Sequence, residues 1–542
     1  VPTTTKPRKK KQPAPRPART PTFEIMDTTL RDGEQTEGVS LLTEEKMTIA
    51  KLLLESVKVD RIEVASARVS QGEHATLKAI CDWARRARLL ERIEILGFVD
   101  HKASVDWAHS AGCRVINLLT KGSRKHCEMQ LRRTLDQHLA DIAQTVAYGR
   151  SRRMKFNVYL EDWSGGMLGC PDYVLAMLDQ LVTLPFERIM LPDTLGLLEP
   201  NQVTEFISAI VARYPGVHFD FHAHNDYGLA TANSIAGLRA GARGIHTTIN
   251  GLGERAGNSP LEEIVVAARD FTPFRCRIDE RRLADASHLT QVFTGKRIAW
   301  NKPIVGENVF TQTAGIHADG DRKGDLYHSR LTPDRFGRNR SYAMGKLMGK
   351  ASLDYNLRKL NIELSDDQKK LVLQRVVELA DQKNVITSED LPYIISDVLQ
   401  SPEERLFEVL DFMVSTNRGL RPVASVMIRY MGQTHQVSAN GDGGYDAFMK
   451  ALRSLESKVL GFRIPTLVDY TVHIPPGGRT DALVETIITW EGGMKTRGVN
   501  PDQLVAAITA TSNAINIIAQ RMREKQPRPK PARTRSKAPV SG

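Results

Sequence analysis

The sequence is poor in the features that mark secreted, membrane-embedded and thiolate-ligated proteins. Its five cysteines, Cys81, Cys113, Cys127, Cys170 and Cys276, are scattered through 542 residues with no Cys-x-x-Cys pair. That spacing argues against a disulfide framework and against cysteine-held zinc, and it fits a reducing cytoplasm. No apolar run approaches the ~20 residues that span a bilayer. The N-terminal segment lacks an apolar stretch of the secretory type and is broken by proline, so neither a signal peptide nor an amphipathic transit helix is expected. No Gly-x-Gly-x-x-Gly follows the first predicted strand, which counts against a doubly wound dinucleotide-binding sheet, the runner-up architecture.

Acidic residues are missing from the two ends. The net charge is +12, yet residues 1–20 carry seven Lys/Arg and no acid, and residues 521–542 carry eight Lys/Arg and one acid. Each tail contributes +7, which leaves the body between them at −2. Both tails are Pro/Ala/Lys/Arg-rich and hold too little apolar surface to fold. They suit solubilising, disordered ends or loose attachment to nucleic acid; neither interleaves aromatics with its charges, so base stacking is not expected.

Between the tails, short β-type runs alternate with amphipathic helical stretches from Phe23 to about Phe271. The predicted strands are 23–28, 61–66, 92–99, 114–120, 155–161, 187–192, 217–223 and 244–250, with helical patterns such as Glu44–Val57, Cys127–Tyr148 and Val203–Tyr214 between them. Eight such alternations over ~250 residues predict an α/β fold, a (β/α)8 TIM barrel whose interior is filled by packed apolar residues and whose site lies at the strand carboxyl ends.

The polar residues collect at those ends. The first strand runs into Asp27-Thr-Thr-Leu-Arg-Asp-Gly-Glu-Gln35, which offers Arg31 as a fixed fork for a carboxylate or enolate and Asp32 as a hard oxygen ligand. Strand five ends Tyr159-Leu-Glu161-Asp-Trp163, strand six Leu191-Pro-Asp-Thr194, strand seven His222-Ala-His224, and strand eight leads to Gly251-Leu-Gly-Glu-Arg-Ala-Gly-Asn258. Residues two apart on a strand face the same way, so His222 and His224 reach one ion. In a closed barrel, strands seven, eight and one are neighbours. Asp32, His222, His224 and Asn258 then converge as a thiolate-free set suited to Zn2+, Mn2+, Co2+ or Mg2+.

Beyond the barrel, about 275–400 reads as a helical connector with a glycine-broken polar segment, Gly306 to Tyr327, that contains His317. The basic stretch from Pro333 to Lys350 offers Arg335 and Arg338 to a phosphate or to solvent. The region 403–520 reads as one unit written twice. The first has strands Ala424–Tyr430 and His435–Ser438, a Gly441–Gly444 turn and a helix from Tyr445 to Leu460. The second has strands Val468–Ile474 and Ala482–Trp490, a Gly498–Pro501 turn and a helix from Pro501 to Ala519. Glycine turns at helix N-termini suit a small carboxylate. The expected organisation is therefore a tail 1–20, a barrel 21–275, a connector 276–402, an α+β domain with an internal repeat at 403–520, and a tail 521–542.

With Asp27–Gln35, His222-Ala-His224 and Gly251–Asn258 in hand, the chain resembles the Claisen-condensing synthases that include 2-isopropylmalate, homocitrate and citramalate synthases. The resemblance extends through Thr311-Gln-Thr-Ala-Gly-Ile-His317 and the doubled domain, over roughly 23–520. Val64–Ser70, Asn117–Gly122, Gly324–Tyr327 and Gly441–Phe448 are most similar to the isoleucine-regulated citramalate group, with Asp325 standing where asparagine is expected. The resemblance implies a metal-dependent acyltransferase that condenses acetyl-CoA with a 2-oxo acid, pyruvate giving (R)-citramalate and 2-oxoisovalerate giving 2-isopropylmalate. It implies Arg31 beside the metal, Thr194 on the substrate carboxylate, and Glu161 and His317 sharing proton removal with help from Tyr327. His317 is expected from the partner chain of a homodimer. Leu96, Leu119 and Tyr159 are expected around the alkyl group, and isoleucine or leucine as effector of the C-terminal domain.

Overall fold

A computed structural model describes residues 21–524 except 325, 361, 382–385, 387–390, 392–393, 396–397, 399–405, 418 and 474–483. Most of the two basic tails, and Asp325, lie outside the described residues. The chain divides into two units. The first runs to Thr311 and takes in His328–Arg340; the second comprises Gln312–Tyr327 and the chain from Ser341 onward.

In the first unit, β1 (Glu24–Asp27), β2 (Arg61–Ser66), β3 (Ile93–Phe98) and β4 (Val115–Lys121) are followed by β5 (Lys155–Glu161), β6 (Phe186–Asp193), β7 (Phe219–Ala223) and β8 (Gly244–Thr247). They pair in parallel in chain order, and β8 closes onto β1. This is the expected (β/α)8 barrel. One side of each strand faces the helices: Ile25, Val64, Ile95, Leu118, Val158, Leu191, Phe221 and Ile245 share a core with helix residues such as Ile49, Leu77, Ile142, Met177 and Ile207. Each of these side chains contributes roughly 1.5–3 kcal/mol by leaving water.

The interior side corrects the expectation of an apolar filling. Arg61 on β2 forms ion pairs with Glu24, Glu94 and Asp220, and the Asn117 amide on β4 donates to Glu63 at 2.7 Å. Only a small apolar cluster, Met26, Leu96, Tyr159 and Met190 with Leu119 against it, breaks this network. Buried charges persist there because each acid faces a cation or an amide donor; unpaired, they would be strongly destabilising.

One helical reading and one reading of charge also change. The pattern Cys127–Tyr148 is broken into a turn of wide helix, His126–Leu131, and a helix Leu135–Ser151. Arg132 turns left-handed with φ 55°, and Thr134 caps the second helix reciprocally with Gln137. That Thr-x-x-Gln box is a start signal inside the apolar period. Arg335 and Arg338 are not held out for phosphate: Arg335 pairs with Asp270 and Glu280, and Arg338 donates to the carbonyls of Gly306 and Glu307.

In the second unit, helices Lys350–Lys359 and Asp366–Asp381 pack Leu353, Leu357, Val372 and Val376 into a core of their own. The repeat follows, in a different phase from the one read in the sequence. Each copy is three antiparallel strands and then a helix. The first is Phe407–Ser415, Val423–Tyr430, Gln433–Asn440 and helix Gly444–Arg453; the second is Leu467–His473, Val484–Trp490, Lys495–Asn500 and helix Gln503–Glu524. Gly498 therefore sits in a strand, not a turn. A Cβ there would stand 1.9 Å from the Ala506 carbonyl oxygen, so its glycine lets the last helix lie on the sheet. The helix continues to Glu524, past the expected boundary at 520. Among the described residues, no helix is long and apolar enough to cross a membrane.

Candidate active site at the barrel rim

β1 ends in a turn that folds its charged residues back over the barrel mouth. The Thr28 carbonyl accepts hydrogen bonds from the backbone N–H groups of Arg31, Asp32 and Gly33 at 3.1, 2.8 and 3.1 Å. This brings Asp32 to the end of β7, where ligand atoms of Asp32, His222 and His224 lie within 4.8 Å of one another. Asn258 joins them through a backbone bridge to His224. Its loop turns tightly because of glycine: a Cβ on Gly257, whose φ is +87°, would meet the Gly251 carbonyl oxygen at 2.0 Å.

Asp32 Oδ1, His222 Nδ1, His224 Nδ1 and Asn258 Oδ1 are each buried with no hydrogen-bond partner. Leaving such groups unmade costs roughly 1–3 kcal/mol apiece. Such partnerless atoms on the residues that cluster here fit a cation. Burial lifts the Asp32 carboxyl, but Arg31, His222 and His224 outweigh it and hold the group well below the usual carboxylate range. Burial likewise pushes both imidazoles below their ordinary value. A carboxylate and two neutral imidazoles are the protonation states a divalent metal requires.

The wall beside this cluster is charged on one side and apolar on the other. The Arg31 guanidinium donates from Nε to Glu63 at 2.6 Å, lies 3.1 Å from Asp32 and stands 6.0 Å over the Tyr159 ring. Glu161, partly exposed, pairs with the ammonium of Lys121. Thr194 Oγ1 accepts from the Asp162 N–H at 3.0 Å, so its own O–H remains a donor. Leu96, Leu119 and Tyr159 come together, with Met26 and Met190, in the single apolar cluster of the interior. His317 and Tyr327 belong to the second unit, where their rings pack against each other with centroids 4.2 Å apart.

Residues 22–290 match the HMGL-like family, 304–384 the homocitrate synthase post-HMGL domain-like family, and 385–519 the LeuA allosteric (dimerisation) domain. A Methanopyrus kandleri protein named provisionally as an (R)-citramalate synthase is 35% identical over 506 residues, 92% of this chain and 97% of the relative. An (R)-citramalate synthase of Methanocaldococcus jannaschii is 31% identical over 499 residues, 91% and 99% of the two chains. A 2-isopropylmalate synthase of the same organism is 33% identical over 508 residues, 92% and 95% of the two chains. The chain belongs to the citramalate and 2-isopropylmalate synthase family.

Within this synthase, several residues support the rim without standing among the site residues expected from the sequence. Glu63 holds Arg31, Lys121 holds Glu161, and Met26 and Met190 complete the apolar wall. A signal for Glu63 and Lys121 did exist. Each is a charge at an interior position of its strand, Glu63 two residues from Arg61 on the same face, and a charge placed there needs a partner that the strand alone does not name.

Proposed function

We propose that this chain condenses acetyl-CoA with pyruvate and water to give (R)-citramalate and CoA, the first step of a pyruvate route to isoleucine. The observation that carries the reading is the clustering of ligand atoms of Asp32, His222 and His224 within 4.8 Å, with Asn258 bridged to His224, beside the Arg31 guanidinium. Asp32, His222, His224 and Asn258 would hold a divalent ion, Mn2+, Mg2+, Zn2+ or Co2+, which would supply a Lewis acid for the 2-oxo carbonyl. Arg31 donates to the oxygen that gains negative charge as the new bond forms, and its orientation is set in advance by Glu63. Thr194 donates to the acid's carboxylate. Glu161 and His317 share removal of the acetyl methyl proton, Tyr327 assists, and Lys121 orients the Glu161 carboxylate. The methyl carbon then bonds to the 2-oxo carbon, the keto oxygen ends as a hydroxyl, and water cleaves the thioester to release the CoA thiol.

The assembly is a homodimer in which His317 and Tyr327 come from the partner chain. The domain at 403–520 senses isoleucine. The cytoplasm suits this chemistry, in keeping with five unpaired cysteines.

Pyruvate is favoured over 2-oxoisovalerate because Leu96, Leu119 and Tyr159, packed with Met26 and Met190, present bulky side chains where the longer alkyl group would have to fit. Such discrimination is worth ~1–3 kcal/mol per methylene. The relative named as a 2-isopropylmalate synthase supports the second reading, in which 2-oxoisovalerate is the acceptor and leucine the effector. CoA release measured with each acid decides between them. The expected result is a higher kcat/KM for pyruvate; a higher value for 2-oxoisovalerate replaces this reading with the second.

A further inference from the structure

Below the rim, three buried polar side chains from different strands touch in sequence. The Asp220 carboxylate on β7 accepts a hydrogen bond from the Arg61 guanidinium at 2.6 Å and lies 3.2 Å from His246 Nε2 on β8. His246 Nδ1 lies 3.0 Å from the Tyr159 hydroxyl on β5. Arg61 Nη2 sits on one Asp220 oxygen as a buried ion pair, so the carboxylate faces a fixed cation. Asp220 is therefore an anion and accepts only. With one proton on the ring, His246 must carry it on Nε2, which leaves Nδ1 as an acceptor. The Tyr159 phenol O–H is the donor that satisfies that acceptor.

A second observation shows that the strands accommodate this arrangement. Gly244 stands opposite Asp220 in the β7–β8 register, and a Cβ on it would lie 2.1 Å from Asp220 Oδ1. The side chain is given up where the carboxylate enters. His246, two residues further on, faces the same way.

The consequence falls on the substrate wall. The one proton of the Tyr159 hydroxyl is directed across the barrel to β8, and the ring remains among Met26, Leu96 and Met190. We propose that His246 is a positioning residue for selection of the 2-oxo acid, fixing the Tyr159 ring as the wall against which the acid's alkyl group packs. This rests on the reading that Leu96, Leu119 and Tyr159 bound the alkyl pocket. Without the Nδ1 acceptor, the buried hydroxyl must find another partner, and the ring moves with it.

The test compares His246→Leu, which has no polar atom, with His246→Asn, whose amide oxygen can stand near Nδ1, in the full-length enzyme. Assays run at saturating Mn2+, because the His222 and His246 rings are 5.5 Å apart and metal retention must not limit the readout. The quantity read is the ratio of kcat/KM for pyruvate to that for 2-oxoisovalerate. His246→Leu is expected to change this ratio about tenfold, the size of a one-methylene effect, mainly through KM. Tyr159→Phe should give the same shift, the double variant no more, and His246→Asn should retain most of the wild-type ratio. Equal loss on both acids in His246→Leu, or equal damage from Asn and Leu, overturns the inference. The wild-type ratio alone tests the substrate reading, so the two can fail separately.

Discussion

Arg31 is held from three sides. Burial disfavours its charge, but Glu63 and Asp32 outweigh that and push the guanidinium above its ordinary value, so it stays a cation throughout the working range. Its neighbour Asp32 is left with one oxygen toward Arg31 and one without a partner, a division of labour that suits a ligand bonded to a metal on one side. His222→Ala or His224→Ala is expected to abolish turnover and to weaken Mn2+ binding by more than ~100-fold, beyond the ~10–100-fold range of residues that only support ligands. Mn2+ titration of the purified variants, with circular dichroism to verify the fold, checks this; unchanged affinity in either variant removes that residue from the metal site. The meeting of Asp32, His222 and His224 was legible in the sequence because period two puts the two histidines on one side at the end of β7 and barrel closure brings the loop after β1 beside them. Glu63 and Lys121 were not, because a charge on a strand does not announce which cation or acid it will face.

At the scale of the element, the C-terminal repeat shows how a glycine serves two different purposes. Gly441 and Gly498 occupy equivalent places after or within the last strand of each copy, and in both a Cβ would strike the following helix, at 2.2 Å from the Ala447 nitrogen and 1.9 Å from the Ala506 carbonyl oxygen. Gly443, by contrast, has nothing within 4 Å and an extended φ of −147° as helix N-cap. Gly498→Ala should therefore separate helix from sheet and destabilise this domain by about 1–3 kcal/mol, the usual range for overpacking, whereas Gly443→Ala should cost much less. Thermal unfolding of the two variants checks the contrast, and equal shifts would mean the close approach relaxes without cost. The phase of the repeat was misread in the sequence for a related reason. Strand Lys495–Asn500 contains Gly498 and three charged or amide residues, a composition that reads as a turn. It becomes a strand because Val484–Trp490 supplies the hydrogen bonds along its length.

For the molecule as a whole, the LeuA domain at 385–519 places a dimerising, allosteric module behind the barrel in the sequence. An effector shifts activity only by binding active and inactive states unequally, and any ligand of the folded state also raises its stability, by about 2.7 kcal/mol at a hundredfold excess over Kd. Isoleucine is expected both to inhibit CoA release from pyruvate and to raise the unfolding temperature of the full-length protein, with leucine weaker on both counts. If neither amino acid does either at millimolar concentration, the domain is a dimerisation module only. Stronger effects of leucine would instead favour the isopropylmalate reading.

The barrel, its strand order and the meeting of Asp32, His222 and His224 at its rim follow from the sequence by itself, because they depend on local periods and on the topology that eight alternations allow. The charged interior, the phase of the repeat and the direction of the Tyr159 hydroxyl do not. Arg61 and Asp220 are 159 residues apart, and Tyr159 and His246 are 87 apart. No local pattern couples such pairs; they meet because closure brings β2 to face β7 and β5 to face β8 across one interior. There, low dielectric makes an unpaired polar group too costly to leave, and tertiary structure alone decides its partner.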